Sequence, residues 1–214
     1  ELVWGDSIKG KRLTGKICED LMDCDVVIPA LHGPFGEDGT VQGFLETLGI
    51  AHVGPSHLGA AIAMDKVLSK RIVKGEGVHT AKFIAFSRKD WEQSYEYVLF
   101  KVEKNLKFPL FLKPAHLGSA VGVSFIDSLE SLLPSIEKII YLDDNFLLEE
   151  RIEGRELEFA VIGNEDVEVA GPGEVFKEGK LYSYEEKYGK NSEKRVSEKA
   201  ELSLELINEG RELA

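Results

Sequence analysis

Lys113 closes the apolar run FPLFL, and Gly118, Ser119 and Gly122 follow it in KPAHLGSAVGV. Two readings of this stretch stand side by side. Glycines supply the positive φ that tight turns need, so the segment can be a plain turn between two strands. That reading leaves the lysine unexplained, because an unpaired ammonium at the end of a buried run is costly and calls for an anion. Glycines that expose backbone N–H groups beside a partly buried lysine make a concave donor site of the kind that holds phosphate. The G-x-x-x-x-G-K-[ST] order of a P-loop is absent, so this is a different device.

Three other stretches carry groups that could join it. In AMDKVLSKR, Lys66 follows Asp65 in a helical segment, where ordinary ion pairing on a solvated face would explain both. In NFLLEERIEGRELEF, Glu149, Glu150, Glu156 and Glu158 gather around a strand end and the turn after it. A charged strand end facing water accounts for these acids. Leu147, Leu148 and Ile152 among them also make a mix of apolar wall, backbone and carboxylate that suits an adenine edge and ribose hydroxyls. In ALHGPFGEDGTVQG, His32 follows an apolar run at the carboxyl end of an expected strand, where α/β sheets place ligands; a structural histidine is the alternative. Asp38–Gly39–Thr40 reads as an N-cap.

The elements that must position these groups follow from periodicity. Residues 25–31 (DVVIPAL) suit a strand buried on both faces, 39–48 a helix ending at Gly49, and 50–54 a short strand, which is βαβ grammar. Helical segments are expected from Ser56 to Met64 and from Asp65 to Lys74. Strands follow at 81–86, 108–114, 121–126 and 145–150, mostly antiparallel, with helix candidates at 90–105 and 128–142. From Gly154, ELEFAVIG, EDVEVAG and GEVF read as further strands, and LYSYEEKYGKNSEKRVSEK as a mobile loop too polar to pack. The last residues, LSLELINEGRELA, are helix-like.

Composition narrows the function. A chain of 214 residues, 43% hydrophobic and 30% charged, is that of a folded domain or two. A net charge of −12 excludes a general nucleic-acid binder, so any phosphate is held by local donors. Cys18 and Cys24 form no CxxC and read as reduced, packed thiols. The first residues are too polar for a signal peptide and no run has transmembrane length, which leads to the expectation of a cytoplasmic protein with no membrane partner.

Taken in order, HGPFGEDGTVQG, GIAHVGPSHLGAAIAMDKVLSKR, FPLFLKPAHLGSAVGVS, LLEERIEGRELEFAVIG and YSYEEKYG closely resemble the D-alanine–D-alanine ligases of the ATP-grasp superfamily. The resemblance implies a mixed α/β and α+β chain of ATP-grasp fold. Residues 1–63 would be the remnant of a Rossmann-like N-terminal domain, 64–152 the central ATP-grasp subdomain, and 153–214 the start of the C-terminal subdomain with its lid loop. It further implies that Lys66 and Lys113 contact ATP phosphates, with Gly118, Ser119 and Ala120 in the loop over them. Glu149 would take the adenine amino group, Glu150 and Ile152 the hinge that reads the base, and Glu156 the ribose. His32 would lie near the first D-alanine, and Lys187 and Tyr188 on the closing loop, where the Tyr188 hydroxyl joins Ser119. Tyr188 also resembles the residue of ligases whose second substrate is D-alanine.

The implied reaction is ATP-dependent ligation of two D-alanines through an acyl phosphate, for peptidoglycan precursors, by an enzyme that is commonly a homodimer. Ala120 stands where the family usually has a second serine, and His116 where asparagine is more common. The family's N-terminal glycine-rich strand and its C-terminal acids and asparagine, which hold two magnesium (or manganese) ions, have no match within these residues. Metal ligands are therefore expected beyond Ala214, and the chain alone is expected to be an incomplete enzyme or a nucleotide-binding module, another ATP-grasp carboxylate–amine ligase being a further alternative.

Overall fold

The computed structural model describes residues 15–176 and 196–214. They form two compact units, one running to Ile72 and including Ala115–Gly118, the other comprising Val73–Pro114 and the residues from Ser119 onward.

In the first unit the helices are α1 (Gly15–Met22), α2 (Thr40–Thr47), α3 (His57–Met64) and the start of α4 (Lys66–Gly75). The two strands expected at 25–31 and 50–54 shrink to a single parallel bridge between Val27 and His52. Their direction is as βαβ grammar requires, with Val27 N–H donating to Ala51 O at 2.9 Å and Val53 N–H to Val27 O at 2.9 Å. A longer ladder needs strand neighbours that the described residues do not supply, and Val26 and Ile28 are consequently exposed rather than buried on both faces. Leu21, Leu45 and Ile50 form the small core, with Ile17, Val27, Val41, Phe44 and Leu48 against it. Cys18 is half-buried and Cys24 exposed, so the expectation that both thiols pack is corrected for Cys24; both are free.

Asp38 shapes the entry to α2, accepting from Thr40 N–H at 3.0 Å and Phe35 N–H at 2.8 Å. Burial alone would raise its pKa, but the hydrogen bonds from Thr40 and Phe35 outweigh it and hold the carboxyl below its ordinary value. Gly39 must be glycine: its φ is +88°, and a Cβ there would stand 2.3 Å from the His57 carbonyl oxygen. Glu46 fastens α2 to α3, accepting from the His57 backbone N–H at 2.9 Å and pairing with its ring Nδ1.

The second unit is built on β1 (Phe83–Ser87), β2 (Leu110–Pro114), β3 (Ser124–Ile126) and β4 (Asn145–Glu150), in the order β1-β4-β2-β3 and antiparallel throughout, as expected. The expected helix at 90–105 is two, α5 (Arg88–Gln93) and α6 (Tyr95–Asn105), because Ser94 takes extended backbone and its hydroxyl caps α6 at Tyr97 N–H. The helix α7 (Leu129–Ile139) starts from the Ser128 cap.

Alternation puts Phe86, Leu110, Leu112, Ile126, Phe146 and Leu148 in one core with Val98, Val102, Leu132 and Ile136 of the helices. Each such side chain contributes roughly 1.5–3 kcal/mol, which makes this sheet and its two helices a firm platform.

A second antiparallel sheet follows, β5 (Glu156–Ile162), β6 (Glu168–Val175) and β7 (Val196–Ser197), with α8 (Leu204–Leu213) after it. EDVEVAG and GEVF, read as separate strands, merge into β6. The expected mobile loop lies mostly outside the described residues, as do Lys187 and Tyr188; its end, Val196–Ser197, is strand rather than loop. Among the described residues no helix is long and apolar enough to cross a membrane.

Candidate functional site

Strand register decides which side chains share the face of the first sheet opposite α6 and α7. Phe111 faces Glu149, Lys113 faces Leu147, and Phe111 also faces Phe125, so these five side chains share the face opposite the helices. There Lys113 Nζ donates to Glu149 Oε1, with the lysine side chain 27% exposed and the glutamate 7%. The anion that a partly buried Lys113 demands is thus provided by the fold itself. The ammonium lies 5.7 Å from the Phe111 ring centroid, Phe125 meets Phe111 edge-on at 5.7 Å, and the Arg151 guanidinium stands 5.8 Å over Phe125. An aromatic and apolar floor bearing the Lys113 and Arg151 cations and the Glu149 carboxylate is chemically suited to a flat heteroaromatic ring joined to an anionic group.

Glu150 has the opposite parity. Its Oε1 accepts from Lys82 N–H at 2.8 Å while its own N–H donates to Lys82 O at 2.9 Å, so it fastens the chain end beside β1 rather than joining Glu149. Ile152 is exposed past the strand end, and Glu156 is half-buried at the start of β5.

In the first unit Lys66 is not on a solvated face. Its backbone N–H donates to Ala115 O at 3.0 Å, and its ammonium donates to Leu117 O and, at 3.5 Å, to Ala115 O. Asp65 caps α4 by accepting from Val67 N–H at 2.8 Å and Leu68 N–H at 3.0 Å, and its second oxygen stands 3.4 Å from His116 Nε2. Asp65, Lys66 and His116 together strap the start of the 115–123 loop over the first turn of α4. Gly118 lies beside Glu37, whose Oε2 would be 3.6 Å from an added Cβ and which accepts from Gly33 N–H. Glu37 thereby braces the loop that presents the exposed His32.

The loop continues in the second unit with Ser119 at φ +52°, Ala120 at +59° and Gly122 at +73°. Two successive non-glycine residues in left-handed conformation are costly and persist only where the surroundings enforce them. Gly122 has no freedom either: a Cβ there would lie 2.9 Å from Leu142 Cδ1 and 3.3 Å from Pro114 Cγ. The hairpin reading is right about topology, since β2 and β3 are antiparallel neighbours, but the connection is a long shaped loop rather than a tight turn.

One arrangement has no forerunner in the sequence reading. Arg155 grips Glu174 with both arms, Nε to Oε1 at 2.7 Å and one terminal nitrogen to Oε2 at 2.6 Å, and its other terminal nitrogen donates to Glu201 O at 2.9 Å. The hydrogen bonds from Arg155 hold the Glu174 carboxyl below its ordinary value, and those to Glu174 push the Arg155 guanidinium up. The available signal was the acid in GEVF, a charge flanked by residues that alternate into a sheet. Among the described residues no group of three or more His, Cys, Asp or Glu side chains comes together as a metal site.

Residues 72–214 match the family model described as D-ala D-ala ligase C-terminus, and residues 6–55 that described as D-ala D-ala ligase N-terminus. The D-alanine–D-alanine ligase of Natranaerobius thermophilus is 42% identical over 178 residues, 83% of this chain and 49% of that protein. That of Enterococcus faecalis is 42% identical over 78% of this chain and 48% of its own. The chain spans about half the length of the curated relatives it matches. Among solved structures, the VanG D-Ala:D-Ser ligase of Enterococcus faecalis superimposes with a TM-score of 0.75 at 33% identity, over 88% of this chain and 54% of that one. The D-alanine–D-alanine ligase of Coxiella burnetii gives 0.72 at 27% identity, over 87% and 48%. The mixed α/β fold is therefore shared with these ligases over half their length, and the chain belongs to the D-alanine–D-alanine ligase family.

Proposed function

We propose that these residues are the nucleotide-holding part of an ATP-dependent ligase that joins two D-alanines into D-alanyl-D-alanine for peptidoglycan precursors in the cytoplasm. The observation that carries the reading is the Lys113–Glu149 pair on an aromatic sheet face, in a chain of this family. Lys113 and Lys66 bind phosphate, Glu149 the adenine amino group, Glu150 and Ile152 the hinge beside the base, and Glu156 the ribose. Lys113 and Glu149 partner each other, so each balances the other's charge. Gly118, Ser119 and Ala120 cover the phosphates. His32 and Ser119 act on the D-alanine side together with Tyr188, which with Lys187 belongs to the closing segment.

The carboxylate of the first D-alanine attacks the γ-phosphate, and the amine of the second then displaces phosphate from the acyl phosphate. The protein's part is charge neutralisation, positioning and exclusion of water from the acyl phosphate. Magnesium, when bound, would add positive charge at the phosphates in this chemistry. Among the described residues no group of three or more His, Cys, Asp or Glu side chains comes together to hold it.

In this reading residues 1–63 are the remnant of the N-terminal domain, 64–152 the central ATP-grasp subdomain and 153–214 the start of the C-terminal subdomain, in a protein that dimerises. A second reading is a nucleotide-binding module without ligase activity. Phosphate release from ATP and magnesium, with D-alanine, D-serine, D-lactate or no addition, distinguishes the two when run on this chain and on the full natural polypeptide carrying it. Release that depends on D-alanine in the full polypeptide supports the ligase. ATP binding without amino-acid-dependent release in either favours the module.

A further inference from the structure

Arg155 precedes β5 and Glu156 opens it, so the two side chains leave the strand on opposite faces. Register places Leu157 opposite Glu174 and Glu174 opposite Ser197, so Arg155, Leu157, Glu174 and Ser197 share one face. Glu156 faces Val175, and that pair belongs to the other face. Glu174 is buried, only 8% exposed, and both of its oxygens are taken by the Arg155 fork. The third contact of the fork, to the Glu201 carbonyl, ties in the chain beyond β7. A fork engaged at three points has one rotational setting. In a strand whose side chains alternate, fixing one residue fixes the direction of the next.

We propose that Arg155 is a positioning residue for nucleotide binding: clamped to Glu174 and the Glu201 carbonyl, it sets the register of the β5 start and so aims the Glu156 carboxylate at the ribose hydroxyls. The inference rests on the assignment of Glu156 to the ribose in the proposed function. It adds a residue that touches no ligand yet governs how well the site distinguishes a ribose from a sugar without hydroxyls.

The test compares binding of ATP with binding of 2′,3′-dideoxy-ATP by calorimetry. Two hydroxyls held by one carboxylate correspond to a preference of roughly ten- to hundred-fold for ATP. Glu156→Gln calibrates the assay: it should lower that preference at least about ten-fold, and an unchanged preference would sink both the ribose assignment and the proposal. With the assignment standing, the decisive variant is Arg155→Met combined with Glu174→Met, which removes the clamp without leaving a buried charge. It should lose the preference by a similar factor while binding dideoxy-ATP as the parent protein does. Arg155→Lys, which keeps the charge but not the fork, should fall between. A double variant that keeps its preference, or that loses affinity for both nucleotides equally, would reduce Arg155 to a structural ion pair and overturn the proposal.

Discussion

Lys113 donates to the Glu149 carboxylate, whose side chain is only 7% exposed, which makes this pair the sharpest place to separate folding from binding. Lys113→Met should cost about 2–3 kcal/mol in urea unfolding. Lys113→Met with Glu149→Leu should recover most of that, because the buried charge goes with its partner. A double variant as unstable as the single one would show that the pair is not the reason for the loss. Acid stability isolates the other buried carboxylate. Glu174 is held below its ordinary value by Arg155, so its contribution is fully present above the unfolded-state value and fades as pH falls through the folded one. Between about pH 5 and pH 3 the melting temperature of the parent should therefore fall more steeply than that of Glu174→Gln; parallel curves would contradict the assignment.

The antiparallel sheet was legible because FPLFLKP and NFLLEE alternate or run apolar between clear breaks, and their burial follows that pattern. The break between α5 and α6 was not, since Trp91, Tyr95, Val98 and Val102 keep helical spacing straight across Ser94, which caps a new helix instead of continuing the old one. The strand expected at 25–31 fails for a different reason: its apolar run is real, but a ladder depends on neighbours that no run of its own residues encodes. Lys66 looked solvated because its partners, the carbonyls of Ala115 and Leu117, are backbone groups distant in sequence. The loop after Lys113 was legible in its glycines. Gly122→Ala should destabilise by at least about 1 kcal/mol, given its positive φ and the 2.9 Å approach to Leu142, and chemical denaturation measures it. A neutral effect would mean that the loop can take another shape.

For the whole molecule, the candidate residues divide between the two compact units: His32, Lys66 and Gly118 belong to one, and Lys113, Ser119, Ala120, Glu149, Glu150, Ile152 and Glu156 to the other. The ordered set of motifs was readable without the structure because each keeps its residue types and its place in the chain. Arg155 was not, because its meaning comes from Glu174 and Glu201, which meet it only in the folded sheet. In the proposed function the Lys113–Glu149 pair is the nucleotide anchor of a D-alanine ligase. Its most direct test is D-alanine-dependent phosphate release by the full natural polypeptide, parent against Lys113→Met/Glu149→Leu, with unfolding curves confirming that both are folded. The proposed role predicts release in the parent that D-alanine stimulates and the double variant lacks. Undiminished release in the folded double variant, or release indifferent to D-alanine in the parent, would contradict it.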